Sequence, residues 1–243
     1  MTAGDYARRA RPILLEIKER KKVPIVVGGT GFYLRALLEG LFEGPGRDDA
    51  LRARLAAREN RRPGVLHRLL RRLDPEAARR IHANDANKLI RALEVCIRTR
   101  QPLTRLFAKG RHPLTGFRVV KLVLAPPREP LYERLNQRTA AMFQGGLLEE
   151  VQRLIAAGVS PSAKPFESIG YRQALQLLRG ELTYEEAVAA AQQATRRYAK
   201  RQLTWFRKEA GAHWLSGFGD DPAIQAQALR LVTVSLSSGE TST

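Results

Sequence analysis

Apolar residues recur at helical spacing along most of this chain, and two short runs rich in β-branched residues interrupt that pattern. The first run, residues 23–27, follows an amphipathic stretch at residues 6–21 and leads through a glycine turn into a second helical stretch at residues 32–39. The second run, residues 117–124, ends just before two prolines. A helix, a strand, a glycine turn and a helix in this order predict a parallel α/β unit.

Between residues 45 and 110 the pattern is helical throughout and strongly basic, which predicts an inserted helical subdomain. Its helix starts are well marked: Asp74 precedes Pro75, and Asn84 or Asp85 can cap a helix that continues to Arg98. The apolar spacing of that last helix predicts which of its side chains pack inward and which stay exposed. The predicted inward residues are Leu89, Leu93 and Cys96, and the predicted outward residues are Lys88 and Arg91.

After the second predicted strand, the spacing predicts helices over residues 130–143, 147–157, 168–178 and 184–210. Few apolar residues follow Val234, so residues 235–243 are predicted to be a disordered tail. The predicted fold class is therefore α/β, with residues 1–44 and 111–234 forming a core with C-terminal helices and residues 45–110 forming the inserted helical subdomain.

The charge balance points to a polyanionic partner. Lysine and arginine number 42 against 24 aspartate and glutamate, which gives a formal net charge of +18 and a sequence pI near 10.9. Arginine supplies 33 of these cations, and its planar fork suits phosphate. A GC-rich genome also enriches arginine, so the net charge is the stronger of the two observations.

Other partner classes receive no support from the sequence. No apolar run approaches the ~18 residues that a membrane-spanning helix needs, and residues 1–12 lack the apolar centre of a signal peptide. The single cysteine, Cys96, cannot form an internal disulfide, and the four histidines have no metal-ligand spacing. We therefore expect a cytoplasmic protein with no membrane partner and no metal site built from protein side chains alone.

The most basic stretch, residues 195–207, places five cations and three aromatic residues on one predicted helix. At 100° per residue the cations share one face. The packing residues Ala199, Leu203 and Phe206 lie on the opposite side, and a third strip carries Tyr198, Gln202 and Trp205. Cations with interleaved aromatic rings suit nucleic-acid binding, whereas a solvated surface helix is the alternative interpretation. The net charge of the chain favours the first.

Two polar turns could also bind phosphate. Gly28, Gly29 and Thr30 stand where a helix begins, so backbone N–H groups there can face an anion, although such a turn is often purely structural. Ser168 opens another helix that carries Arg172 in its first turns, and an ordinary capped helix start is the alternative.

One further helix carries a pair of arginines. Arg134 and Arg138 are four residues apart and share a face, so together they could clamp phosphate oxygens. For Arg134 the favoured interpretation is an ion pair with Glu133 or a neighbouring carboxylate.

Four segments carry a family resemblance: VGGTGFYLRALLEG from residue 27, DPEAARRIHANDANKLIRALEV from residue 74, SIGYRQ from residue 168 and AKRQLTWFRK from residue 199. In this order and spacing they resemble the tRNA dimethylallyltransferase (tRNA isopentenyltransferase) family as far as about residue 215. The resemblance implies a P-loop-NTPase-like parallel sheet core. It also implies transfer of the dimethylallyl group of dimethylallyl diphosphate to N6 of the adenosine 3′ of the anticodon in tRNA.

The resemblance also implies roles for residues. Arg138 would contact the diphosphate, together with Gly28 and Gly29, and Thr30 would lie at the mouth of the reaction channel, so Thr30 and Arg138 are the implied catalytic residues. Mg²⁺ is the implied cofactor, bound through the diphosphate, and a monomer is expected. The implied contacts to the tRNA anticodon stem-loop are Arg52; Asn87, Lys88, Leu89, Ile90 and Arg91; Ser168, Ile169, Gly170, Tyr171 and Arg172; and Lys200, Arg201, Gln202, Leu203, Thr204, Trp205, Phe206 and Arg207.

The start of the sequence departs from the family pattern. The family opens with a strand, a P-loop of the G-x-T-x-S-G-K-[ST] kind and an Asp-Ser motif that supplies the catalytic carboxylate, and neither motif occurs in this sequence. We therefore expect an N-terminally truncated core with unpaired sheet edges, lowered stability and poor catalysis by this polypeptide alone. Two alternatives stay open: a catalytically inactive tRNA-binding fragment, and an adenylate isopentenyltransferase that acts on free adenine nucleotides.

Overall fold

A computed structural model describes residues 1–42, 44–108 and 110–237. The chain forms two compact units, residues 1–117 and residues 118–243. The predicted grouping of residues 1–44 with residues 111–234 around an inserted subdomain stays a prediction.

The described part of the first unit is helical. Its helices are α1 (Ala3–Glu19), α2 (Gly31–Leu38), α3 (Asp49–Arg61), α4 (Val65–Leu73), α5 (Pro75–Arg80), α6 (Ala86–Thr99) and α7 (Leu103–Ala108). Leucines at helical spacing on α3, α4 and α6 meet in one core, in which Leu66, Leu70, Leu89 and Leu93 are fully buried. Cys96 lies in the same core, so the predicted inward face of α6 is confirmed.

Asp74 joins three helices of this unit. It ends α4 and caps α5, where its Oδ1 accepts a hydrogen bond from the backbone N–H of Ala77 (3.0 Å). The same carboxylate accepts from the N–H (2.9 Å) and the hydroxyl (3.0 Å) of Thr104 on α7. The side chain is buried, and all three bonds satisfy it. The predicted Asp74-Pro75 helix start is thus confirmed, and Asp85 is the residue that caps α6.

Helices α1 and α2 pack on each other through small residues, with Ala3, Ala7 and Ala36 buried between them. The predicted strand at residues 23–27 between these helices is wrong. These residues form no β-ladder with any residue that the structure describes, and Ile25 and Val27 are 81% and 90% exposed. A run of β-branched residues becomes a strand only where another strand pairs with it.

The second unit carries the sheet. Its elements are β1 (Lys121–Leu124), α8 (Arg128–Gln144), α9 (Leu147–Ala156), a short 3₁₀ helix (Lys164–Glu167), α10 (Tyr171–Leu178), α11 (Tyr184–Phe206), β2 (Ala212–Leu215) and α12 (Pro222–Ser237). Strands β1 and β2 pair in parallel, with Lys121 opposite Ala212 and Leu124 opposite Leu215. Helices α8 to α11 form the connection that a parallel pair requires, so the fold is α/β, as the sequence predicts.

Several boundaries in this unit differ from the predictions. The predicted strand at 117–124 is limited to its last four residues, because only these have a partner in β2, which was not predicted. Helix α11 ends at Phe206 and the chain then turns at Gly211, which has a positive φ of 69°. Helix α12 was not predicted either. It runs through residues 235–237 of the predicted tail, and residues 238–243 lie outside the described residues.

We expect Asp74→Ala to lower the free energy of unfolding by about 2–3 kcal/mol, because two backbone N–H groups and a hydroxyl lose their acceptor in a buried position. Asp85→Ala is the matched control, since Asp85 caps α6 from a more exposed site and its loss should cost about 1 kcal/mol. Urea unfolding followed by circular dichroism measures both. Equal losses for the two variants would contradict the linking role of Asp74.

Candidate functional site

The glycine turn before α2 is open to a ligand. A Cβ added at Gly28 would meet no atom within 4 Å, so packing within the described chain does not require glycine there. Thr30 stands at the N-cap of α2, yet its side chain makes no capping bond, and its backbone oxygen accepts from the N–H of Tyr33 (2.9 Å). The first N–H groups of a helix and an exposed hydroxyl are suited to binding an anion.

The two arginines of α8 have different surroundings. Arg134 donates two hydrogen bonds to the carboxylate of Asp220, at 3.0 and 2.5 Å, and its guanidinium lies 4.7 Å from the ring centroid of Phe218. The hydrogen bonds from Arg134 lower the pKa of the Asp220 carboxyl. The Arg138 side chain is exposed and makes no hydrogen bond or ion pair with any residue that the structure describes. Arg138 can therefore bind an anion without giving up a carboxylate partner.

The basic helix predicted at residues 195–207 is the C-terminal half of α11. Its burial follows the predicted faces in part: Lys200, Arg201, Thr204 and Arg207 are exposed and Ala199 is buried, whereas Leu203 and Phe206 are only half-buried. Arg196, predicted on the basic face, is also half-buried and donates to Asn136 Oδ1. The Arg201 guanidinium lies 5.5 Å from the ring centroid of Tyr198. The exposed face therefore combines cations with an accessible aromatic ring.

A cavity of about 540 Å³ opens beside this helix, where the chain leaves the carboxyl end of β1 at Ala125. Three cations and two aromatic rings line it: Arg128, Lys200, Arg207, Tyr132 and Trp214. The Arg128 guanidinium lies 5.0 Å from the ring centroid of Tyr132. Ligands of α/β proteins bind at this end of parallel strands, and this cavity suits a ligand with both a flat apolar part and phosphate.

The segment at residues 168–172 is a helix start of a different kind from the predicted one. Helix α10 begins at Tyr171, and the N–H of Gly170, whose φ is +95°, donates to Gln173 Oε1 (2.9 Å). Ser168 is not the cap, because its hydroxyl donates to the carbonyl of Pro165 (2.6 Å). A hydrogen bond between the Tyr171 hydroxyl and Glu150 raises the pKa of that tyrosine. Arg172 and Ile169 are exposed beside this turn.

In the first unit, Arg52 and Arg91 converge on one carboxylate. Glu94 Oε2 accepts from Arg52 Nη2 (2.8 Å) and from Arg91 Nη1 (2.6 Å). Its Oε1 accepts from Arg52 Nε (2.8 Å) and from the backbone N–H of Asp48 (2.7 Å). Glu94 is fully buried, whereas the arginine side chains keep 24% and 35% of their surfaces exposed. We call Glu94, Arg52 and Arg91 the Glu94 cluster.

Burial alone would raise the pKa of Glu94. Hydrogen bonds from Arg52, the Asp48 N–H and Arg91 outweigh that effect and lower the pKa to about 2. The carboxylate is therefore charged at neutral pH, and the cluster carries one positive charge in excess.

The predicted tRNA-contact residues on α6 fall into two groups. Asn87 and Lys88 are exposed, and Arg91 is half-buried in the Glu94 cluster. Leu89 and Ile90 are buried in the helical core, so their side chains position the helix. Glu94 was missed by sequence reasoning, because it shares the polar face of α6 with Arg91 and Arg98, where the sequence alone indicates an ordinary exposed ion pair.

Each unit contains its own share of the predicted site. Gly28, Gly29, Thr30, Arg52 and residues 87–91 belong to the first unit, whereas Arg138, residues 168–172 and residues 200–207 belong to the second. Among the described residues no group of three or more His, Cys, Asp or Glu side chains could hold a metal ion. No helix within the described ranges is long and apolar enough to cross a membrane.

Comparison with known proteins identifies the family. A model of the IPP transferase family matches residues 1–209 of this chain. A tRNA dimethylallyltransferase of Koribacter versatilis is 57% identical over 236 residues, which are 97% of this chain and 76% of the relative. The tRNA dimethylallyltransferase of Solibacter usitatus is 57% identical over 228 residues, covering 94% of this chain and 74% of the relative. The chain therefore belongs to the IPP transferase family.

Solved structures agree. The full-length tRNA isopentenylpyrophosphate transferase of Bacillus halodurans matches 98% of this chain and 76% of its own length, with 33% identity and a TM-score of 0.61. A eukaryotic dimethylallyltransferase acting on tRNA matches 97% of this chain and 62% of its own length, with 25% identity and a TM-score of 0.77. These matches support the α/β fold of the chain.

The Glu94 cluster should make stability depend on acid pH. Because the folded pKa is about 2 and the ordinary value is about 4.3, the cluster stabilises the chain above about pH 4.3, and this contribution is lost as the pH falls towards 2. We expect Glu94→Gln to lower the free energy of unfolding at pH 7 by on the order of 3 kcal/mol. On acidification the Glu94→Gln variant should lose less of its free energy of unfolding than the unsubstituted chain does.

Urea titrations between about pH 7 and about pH 3 check this expectation. Glu76→Gln is the control, because Glu76 pairs with Arg80 on the exposed surface of α5. Parallel pH profiles for the Glu94 variant and the unsubstituted chain would show that the cluster does not stabilise the fold.

Proposed function

We propose that this chain is a tRNA dimethylallyltransferase, a prenyltransferase that modifies tRNA. The observation that carries the proposal is its 57% identity, over 97% of its length, to a relative of that name. In the proposed reaction the exocyclic N6 of the adenosine 3′ of the anticodon attacks C1 of dimethylallyl diphosphate. The N–C bond forms, the C–O bond to diphosphate breaks, and the nitrogen gives up one proton to a base.

The open turn and Arg138 each offer groups that bind an anion, and this supports a diphosphate substrate. An exocyclic amine is a weak nucleophile, so the reaction needs strong stabilisation of the departing diphosphate. The glycine turn offers helix N–H groups and the Thr30 hydroxyl, and Arg138 offers a guanidinium that no carboxylate of the described chain occupies. From the family resemblance we carry over the roles of Gly28, Gly29 and Arg138 as diphosphate-binding residues and of Thr30 as a residue near the reacting nucleotide. Mg²⁺ would neutralise diphosphate oxygens, and its ligands would come chiefly from that group.

The cationic surfaces support tRNA as the acceptor. The exposed face of α11, the turn at residues 168–172 and the exposed residues of α6 present positive charge and hydrogen-bond donors to RNA. The cavity beside Arg128 and Tyr132 suits an unstacked nucleotide, because RNA is read mainly through splayed bases stacked on rings. A net charge of +18 favours tRNA over a free adenine nucleotide, which needs few cations. We further propose that the chain acts as a monomer in the cytoplasm.

Transfer of labelled dimethylallyl from its diphosphate to unmodified tRNA tests the proposal. The assay uses the chain as it stands, and also the chain fused behind a segment that supplies the P-loop and the Asp-Ser motif of the family pattern. Label appearing on the adenosine 3′ of the anticodon is the expected result for the fusion. Label on AMP but not on tRNA would point to the adenylate enzyme, and tRNA binding without any transfer would point to an inactive RNA-binding fragment.

Arg138→Ala in the active form should lower turnover by about 100-fold or more, because the leaving group loses a stabilising cation, and should change tRNA affinity by less than about threefold. Arg134→Ala is the matched control, since it removes an arginine one helical turn away that is already bound to Asp220. Steady-state kinetics and tRNA binding measure the two effects separately. Equal losses of turnover and affinity for Arg138→Ala would contradict its role at the diphosphate.

Binding of tRNA should weaken steeply with salt, because each phosphate contact contributes about 0.7–0.9 to the slope of log affinity against log salt. Replacing Lys200, Arg201 and Arg207 by alanine should reduce that slope by about two. The control is a second triple variant, in which alanine replaces Arg9, Arg20 and Lys22. It removes the same charge from exposed positions, one on α1 and two just after its end. Equal slopes for the two variants would mean that net charge alone, and not the α11 face, binds the tRNA.

A further inference from the structure

The Glu94 cluster is built to hold two arginines in one place. Both guanidinium groups bind the same oxygen, Glu94 Oε2, so they lie side by side. Glu94 binds Arg52 through Nε and Nη2 and Arg91 through Nη1. The other terminal nitrogen of each arginine, Arg52 Nη1 and Arg91 Nη2, makes no hydrogen bond to Glu94. Both side chains remain partly exposed, so a ligand can reach them.

The chain segment that delivers Arg52 is also fixed to α6. Three residues on one face of that helix, Arg91, Glu94 and Arg98, bind successive backbone groups of the segment before α3. Arg91 Nη1 donates to the carbonyl of Pro45 (3.1 Å), Arg98 Nη1 donates to that of Gly46 (2.6 Å), and Glu94 accepts from the N–H of Asp48. Arg52 lies one turn into α3, so its backbone position is set by these bonds.

This arrangement does more than stability alone requires. A buried ion cluster stabilises a fold little better than well-packed apolar residues would, because burying the charges is costly. The two arginines share one carboxylate, so the Glu94 cluster carries one positive charge in excess at a partly exposed site, with Asp49 as a further carboxylate near Arg52. Two guanidinium groups held by one carboxylate match an oxygen-rich monoanion such as a phosphodiester.

The family resemblance already implies that Arg52 and Arg91 contact tRNA. We propose that Glu94 is the positioning residue that holds these two arginines together, so that they bind one phosphodiester of the tRNA backbone as a preorganised pair. This inference rests on the proposed function, because it takes RNA as the ligand. Glu94 does not touch the RNA. Glu94 acts by fixing the positions of the two guanidinium groups before RNA binds. The entropy cost of ordering these side chains is therefore met on folding, and RNA binding is not weakened by it.

Glu94→Gln separates positioning from net charge. Removing this carboxylate raises the net charge by one, so a surface that binds RNA by charge alone should bind more tightly. The cluster predicts the opposite, a loss of affinity of about tenfold for an anticodon stem-loop RNA with adenosine 3′ of the anticodon. Glu76→Gln is the control, because it removes the same charge from the exposed Arg80 pair, and it should leave affinity unchanged or slightly raised. Fluorescence anisotropy with labelled RNA measures both.

A double-mutant cycle separates positioning from a general effect on folding. If Glu94 acts through Arg52, then Glu94→Gln should change RNA affinity by less than about twofold in an Arg52→Ala background. A merely structural role predicts the same loss in both backgrounds, and that result would overturn the proposal. Arg52→Lys keeps the charge but not the fork, so it should also weaken binding by several-fold and provides the test if Glu94→Gln fails to fold.

Failure of this inference differs from failure of the proposed function. Suppose that the chain binds the stem-loop and that the fused form transfers dimethylallyl. If the Glu94→Gln and Arg52→Lys variants then bind RNA as tightly as the unsubstituted chain, the proposed function stands and the inference about this site fails. A chain with no affinity for the stem-loop loses both.

Discussion

Repulsion among cations is the constraint that the rest of this structure satisfies. With 42 lysines and arginines against 24 acidic residues, the chain cannot pair every cation, and the unpaired ones must lie where solvent or a ligand can reach them. The fold uses some carboxylates for other purposes: buried Asp74 joins α4, α5 and α7, and buried Glu94 holds two arginines. The exposed face of α11 keeps its excess positive charge. A surface that is costly in the free chain becomes favourable once a polyanion binds it.

Helices and their caps could be predicted because their signals are local. Asp74 before Pro75 and Asp85 before α6 act within one turn, and the apolar face of α6 follows from spacing alone. Strands were harder, because pairing depends on distant residues. Residues 23–27 have the composition of a strand and remain exposed, whereas Ala212–Leu215, with histidine and tryptophan at its centre, pairs with β1. Composition measures how well a residue suits a sheet and not whether a neighbouring strand exists.

In the candidate site, too, features set by neighbouring residues could be predicted and features set by distant residues could not. The different surroundings of Arg134 and Arg138 could be anticipated in part, since an ion pair was expected for Arg134, but Asp220 is distant in sequence and could not be named. Within the family motif on α6, the spacing predicts Leu89 in the core and Lys88 on the surface, whereas the burial of Ile90 and the half-burial of Arg91 beside Glu94 were found only in the structure. Glu94 is the residue whose importance is tertiary: its partners come from α3, from α6 and from the segment between α2 and α3.

We infer that these cations are arranged for one kind of RNA, the tRNA anticodon stem-loop. The most direct test is competition: a labelled tRNA anticodon stem-loop bound to the chain is displaced by the unlabelled stem-loop or by an unrelated RNA duplex with the same number of phosphates, at near-physiological salt. We expect that the duplex must be at least about tenfold more concentrated to displace half of the label. Displacement at equal concentrations would show that the chain recognises charge only, and would contradict this inference.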